Sequence, residues 1–305
     1  MPAWDLFDAA AKPDLQPIHA LLGEPRGFDA ATTAALQRAM AEIDTRPQTI
    51  IAADRAQMQL IDVFDAHGHR GSAFLDVYHG ITVAVIEALE RGELGPRRFF
   101  ERLPGKFAER HFDGVKAELG LDGGDASRYG LWAPSFAFDN IAPADTPLGM
   151  KPPMAHFTVG MCCHINFDLA CALDETIREL GYENDAAALV EIERGHNFVD
   201  TILADKVEHS TELLAAKMDC PMSKKILETG AVKTVGDVSM AMIRRWRAKT
   251  FVHAMELCRA PDDASRATIR EAIYRAGARK TVRLFNTLPG LIEGTLRGTW
   301  LVPLA

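Results

Sequence analysis

Apolar residues recur along most of this chain at intervals of three and four, the period of helices that bury one face. The clearest stripe is Leu75, Tyr78, Ile81, Val85 and Leu89, inside a predicted helix over 73–89. Short alternating runs bounded by turns, the mark of half-buried strands, are nearly absent. The helical pattern begins after Asp29, a good N-cap residue, and covers 30–43, 53–64, 73–89 and 97–119, with a break expected at Pro104. Residues 140–153 hold Pro143, Pro147, Pro152 and Pro153 and read as a loop. Longer helices follow over 154–180, 185–218 (bent at Gly195), 235–257 and 261–285, the last opened by Pro261-Asp262-Asp263. A final helix is expected over 291–301. Residues 1–27, with Pro13, Pro17 and Pro25, read as an irregular lead-in. The fold class is therefore all-α: residues 28–305 form a single-domain multi-helix bundle around a buried central helix near 154–180.

That central helix breaks the pattern. Residues 154–172 are apolar nearly all the way round, which marks a buried helix. Yet it carries His164, Asn166 and Asp168. His164 and Asp168 are four apart and share one face. An ionised carboxylate taken out of water costs several kcal/mol even after relaxation. Asp168 must therefore be paired, bound to a metal or open to a pocket. A purely structural answer is a buried ion pair with Arg244, Arg245 or Arg247. Three polar residues on one oily helix are harder to explain as packing than one, so we take His164, Asp168 and Asn166 as candidate catalytic residues. Tyr78, His79, His111, Trp132, Met161 and Arg244 are candidate substrate-binding residues.

A second polar set lies on the helix over 185–218. Glu193-x-x-His196 has the spacing used by helical di-metal carboxylate proteins, and Asp200 follows His196 as Asp168 follows His164. His156, His164, Asp168, Glu193, His196 and Asp200 are the candidate metal ligands, for zinc or iron. The full di-metal pattern is absent. Asp76-x-x-His79 is an imperfect second unit, and His67-Gly-His69 reads as a polar loop. Cys163 precedes His164 but points away from it on a helix, so the two do not form a nucleophile pair. Phosphate-binding glycine loops and Gly-x-Ser-x-Gly are absent.

Composition narrows the classes. Net charge is −8 from 34 basic and 42 acidic residues, which argues against nucleic acid as a partner. Cysteines number 5, an odd count without Cys-x-x-Cys, which points to a reducing cytoplasm rather than a disulfide framework. No signal peptide is visible at Met1-Pro2-Ala3-Trp4. No uninterrupted apolar run reaches the ~20 residues of a membrane span.

The run Gly160-Met-Cys-Cys-His-Ile-Asn-Phe-Asp-Leu169 resembles a helix signature, G-M-N-A-H-I-N-x-D-L, of a bacterial family of unknown function. Weaker similarity covers Asp76-Val-Tyr-His-Gly-Ile-Thr82, 98–103, 107–112 and 244–250, so the likeness runs from near Asp76 to near Cys258. The resemblance implies an all-helical fold and singles out His164, Asn166 and Asp168. It implies no activity. This chain has Cys162 and Cys163 where that signature has Asn and Ala.

The expectation is an enzyme acting on a small, largely apolar molecule of lipid, polyketide or terpenoid type. His164 would move a proton and Asp168 would orient it, in lyase, isomerase, cyclase or hydrolase chemistry. A metal-dependent hydrolase or oxygenase and a non-catalytic binder of an apolar ligand stay open beside it. The leading reading requires no cofactor. The sequence does not give the oligomeric state.

Overall fold

The structure, a computed structural model, describes residues 28–69, 71–121, 132, 135–136, 160–218 and 232–296; side chains within 207–218, 232–236, 238–239 and 281–296 are not described. Eight long helices and no strand occur among the described residues. They are α1 (Ala30–Glu42), α2 (Ile50–Ala66), α3 (Ser72–Glu90), α4 (Arg97–Glu118), α5 (160–179), α6 (Ala186–Met218), α7 (Val232–Cys258) and α8 (Asp263–Leu296). The all-α expectation holds. The starts follow ordinary capping chemistry. Asp29 Oδ1 accepts the amides of Ala31 and Thr32, Thr49 Oγ1 accepts that of Ala52, Asp185 that of Ala188, and Asp262 that of Ser265.

Helix α4 runs unbroken through Pro104. A mid-helix proline costs about 3 kcal/mol, and packing outweighs it here. Phe99, Phe100, Leu103 and Ala108 are buried around it. Arg102 donates to both Glu179 carboxylate oxygens, at 2.6 and 3.0 Å, and to the Pro47 carbonyl at 3.0 Å. Likewise α6 is continuous through Gly195, and the helices expected over 261–285 and 291–301 are one helix through Pro289 as far as Leu296. Helix α3 is long and apolar enough to cross a bilayer, in contrast to the expectation that no apolar run reaches that length; 61% of its apolar stretch is buried inside the protein.

The central helix α5 has an unexpected interior. Residues His164–Asp168 form a π-turn, with the Leu169 amide reaching back to the His164 carbonyl. Such wide turns concentrate at functional sites. Two side chains add hydrogen bonds to the carbonyls around it. Asn166 Nδ2 donates to the Cys162 carbonyl at 2.9 Å, and Thr250 Oγ1 on α7 donates to the Ile165 carbonyl at 2.8 Å.

α7 packs on α5, α6 and α8, α4 packs on α2 and α5, and α3 on α2 and α6. Two apolar clusters result. One includes Leu60, Phe64, Phe74, Phe112 and Trp132; the other includes Leu89, Phe99, Phe100, Leu173, Ile177 and Ile192. Ile81, Phe107 and Val199 touch both clusters, and the same three residues line a cavity.

Candidate functional site

The cavity lies among α3, α4, α5, α6 and α7 and has a volume of about 90 Å³. Each helix gives one face to it. α3 contributes Tyr78, Ile81, Thr82 and Val85, so much of the stripe read from the sequence as core is cavity wall. α4 contributes Phe100, Leu103, Pro104 and Phe107; α5 contributes Met161, His164, Ile165 and Leu169; α6 contributes His196, Val199 and Leu203; α7 contributes Arg247.

His164 is the chemical centre of this wall. It is 2% exposed, and its Nδ1 lies 3.0 Å from Asp168 Oδ2. A carboxylate only accepts, so Nδ1 carries the hydrogen and Nε2 keeps the lone pair. The same Asp168 oxygen accepts the Trp132 indole N–H at 3.0 Å. His164 Nε2 has no hydrogen-bond partner among the described residues. Phe107 stacks on the imidazole at 3.5 Å between centroids and 8° between planes, while Tyr78 and Phe74 approach edge-on at 4.7 and 5.4 Å. Burial holds the His164 pKa well below its ordinary 6.5, so the ring is neutral at physiological pH. The Tyr78 hydroxyl is also buried without a partner among the described residues, and burial, then the Asp168 charge, raises its pKa well above 10.0.

Two glycines make room for this arrangement. A Cβ on Gly114 would stand 2.8 Å from Trp132 Cδ1, and one on Gly160 would stand 3.2 Å from Trp132 Cζ3. The indole thus fits a notch between α4 and α5, which aims its N–H at Asp168.

A family model described as "Family of unknown function (DUF5995)" matches residues 52–287. The chain belongs to the DUF5995 family. The matched span contains every cavity-lining residue. No curated protein and no solved structure matches. The DUF5995 description assigns no activity, so chemistry has to come from the site itself.

In this DUF5995 member the other sequence candidates disperse. Met161 and Tyr78 line the cavity with His164. Trp132 stands behind His164, and His111 lies behind it too, 4.7 Å from the Trp132 ring and outside the lining. Asn166 faces away from the cavity lining: its oxygen accepts from Lys280 on α8. His79 pairs with Asp54 at 3.0 Å on a half-buried face. Arg244 is exposed, and Arg247 occupies the position towards the cavity instead. Nor does Arg247 close on Asp168. Its Nε donates to Asp200 at 2.6 Å, and Nη2 donates to the His196 carbonyl at 2.6 Å.

The proposed ligand set does not gather. Among the described residues no three His, Cys, Asp or Glu side chains come together as metal ligands. Glu193 is exposed and Asp200 is taken by Arg247. His196 lines the cavity, but its Nε2–H donates to the Arg247 carbonyl at 3.2 Å and its Nδ1 accepts from Arg247 at 3.4 Å. Burial and the adjacent guanidinium keep it neutral. His156 lies outside the described residues. His69 is packed against the rings of Phe64 and Phe28, so it is not an open loop ligand. Phe107 and Arg247 also line the cavity, though the sequence singles out neither as a site residue. Phe107 was carried only by a segment likeness; Arg247 falls on the buried α7 stripe of Ile243, Trp246, Thr250, Ala254 and Leu257, a helical signal visible without coordinates.

Proposed function

We propose that this protein is an enzyme that moves a proton on a small, largely apolar molecule held in the cavity, with His164 Nε2 as the acid–base atom. One observation carries the reading: a buried imidazole whose Nε2 has no hydrogen-bond partner among the described residues lies on an apolar cavity wall while its other nitrogen is fixed by a carboxylate. Leaving a buried polar group unsatisfied costs about 1–3 kcal/mol. A ligand proton donor in the cavity would remove that cost. Desolvation disfavours the imidazolium, but Asp168 and the stacked Phe107 face favour it once a proton arrives. Asp168 and Trp132 are positioning residues. Tyr78 supplies a hydroxyl for a developing negative charge on the substrate. A 150 Å³ apolar cavity holds benzene, so about 90 Å³ calls for a short chain or small ring unless the walls move.

The test is turnover of short-chain carbonyl compounds and esters, followed as deuterium uptake from D2O and as hydrolysis. The native chain should act on at least one of them, and His164→Gln should lower the rate by about 10²–10⁴ while leaving binding in place. Turnover that survives His164→Gln would remove His164 from the chemistry. Equal binding with no turnover of any compound by the native chain would make the protein a carrier, the reading its apolar wall otherwise supports.

A further inference from the structure

The cavity has a second polar pole. Arg247 is 7% exposed, yet it lines a wall made mainly of Ile, Leu, Val and Phe. A guanidinium presents five N–H donors in a rigid fork. Nε and Nη2 are committed, to Asp200 Oδ1 and to the His196 carbonyl. Among the described residues Nη1 has no hydrogen-bond acceptor, while Arg247 itself lines the cavity. Both His196 ring nitrogens are already engaged by Arg247 itself. The charge here is already balanced, because Asp200 faces Arg247 across 2.6 Å. Bringing a second carboxylate into this apolar space would cost several kcal/mol of desolvation with no uncompensated cation to receive it. A neutral oxygen carries no such cost and accepts a charge-assisted hydrogen bond.

We infer that the ligand is a short neutral molecule with one carbonyl oxygen, an apolar body along the wall, and that oxygen held by Arg247 Nη1. This rests on the cavity being a ligand site, and it makes Arg247 a specificity-determining residue. It also places the polarised end of the molecule in the same cavity as the His164 lone pair. A proton on the carbon next to a carbonyl is the one such a base removes most readily.

Pentane, 2-pentanone and pentanoate share a chain length and differ only at the head. Their binding to the full chain is measured by NMR titration. The expected order puts 2-pentanone at least ten-fold tighter than the other two. Arg247→Lys keeps the pair with Asp200 but lacks the third fork position, and should bring the ketone down to the affinity of pentane while pentane binding stays unchanged. The double variant Asp200→Asn/Arg247→Gln, which removes both charges together, should do the same and guards against a folding defect in the single change. Equal affinity for pentane and 2-pentanone overturns the inference and leaves the cavity reading standing. Tightest binding of pentanoate, or a ketone preference lost in Tyr78→Phe and kept in both Arg247 variants, also overturns it. No binding of any of the three by the native chain overturns the cavity reading as well.

Discussion

Trp132 gives a direct measure of what Asp168 needs. A carboxylate shielded from water is kept there by the hydrogen bonds it accepts, and two converge on one oxygen. Removing a hydrogen bond to a charged group costs about 1.5–3 kcal/mol. Trp132→Phe keeps most of the ring and deletes the N–H, so urea unfolding should show a loss of that size, and a smaller one of about 0.5–1.5 kcal/mol in an Asp168→Asn background, whose neutral amide oxygen still accepts; an equal loss in both backgrounds would mean that packing alone accounts for Trp132. The burial and pairing of His164 and Asp168 were legible in the sequence because charge on an all-apolar helix is expensive wherever it occurs. Asn166 failed the same argument. Its cost is met locally by the Cys162 carbonyl and by Lys280, and alternate positions on a helix point to different sides. Among four successive residues, Arg244 to Arg247, only the phase of the helix separates the exposed Arg244 and Arg245 from the buried Arg247.

At the level of elements, the site depends on how closely helices approach. α4 and α5 hold Trp132 between them only where Gly114 and Gly160 lack a Cβ. Gly114→Ala would place a methyl 2.8 Å from Cδ1 and 2.9 Å from Cγ of the indole. Helix propensity favours alanine by about 1 kcal/mol, but overpacking costs about 1–3 kcal/mol. We expect net destabilisation in thermal unfolding and a shifted Trp fluorescence maximum. A gain in stability would mean that Trp132 does not sit in this notch. The helices themselves were readable from periodicity and caps. Their interruptions were not, because Pro104, Gly195 and Pro289 act as breakers only when packing is too weak to oppose them. The π-turn left no local mark either, since its carbonyls are met by Thr250, distant in sequence, as well as by Asn166.

For the whole molecule, burying neutral imidazoles links folding to pH. Burial lowers the pKa of His164, His196 and His253 from 6.5. Below 6.5 the unfolded chain therefore binds protons that the folded chain refuses. This stabilisation is complete above about 6.5 and is lost as pH falls towards the folded values. Each histidine contributes a slope of up to about 1.4 kcal/mol per pH unit in that window. Glu175 and Glu179 are lowered from 4.5, so their own acid loss comes at lower pH. Denaturant midpoints should fall between about pH 7 and pH 5, and less steeply in His164→Gln. A flat profile over that range would show that the histidines are not buried as described. The all-helical class and the family were both legible from sequence. The cavity was not, because an apolar position looks the same whether it faces another side chain or a void.

The most direct test of the account is the state of the His164 ring, read by nitrogen NMR at neutral pH with 2-pentanone added. The account predicts a protonated Nδ1, a bare Nε2, and an Nε2 signal that moves as the ketone binds. A protonated Nε2, or a bare one that no small apolar molecule shifts, would contradict it.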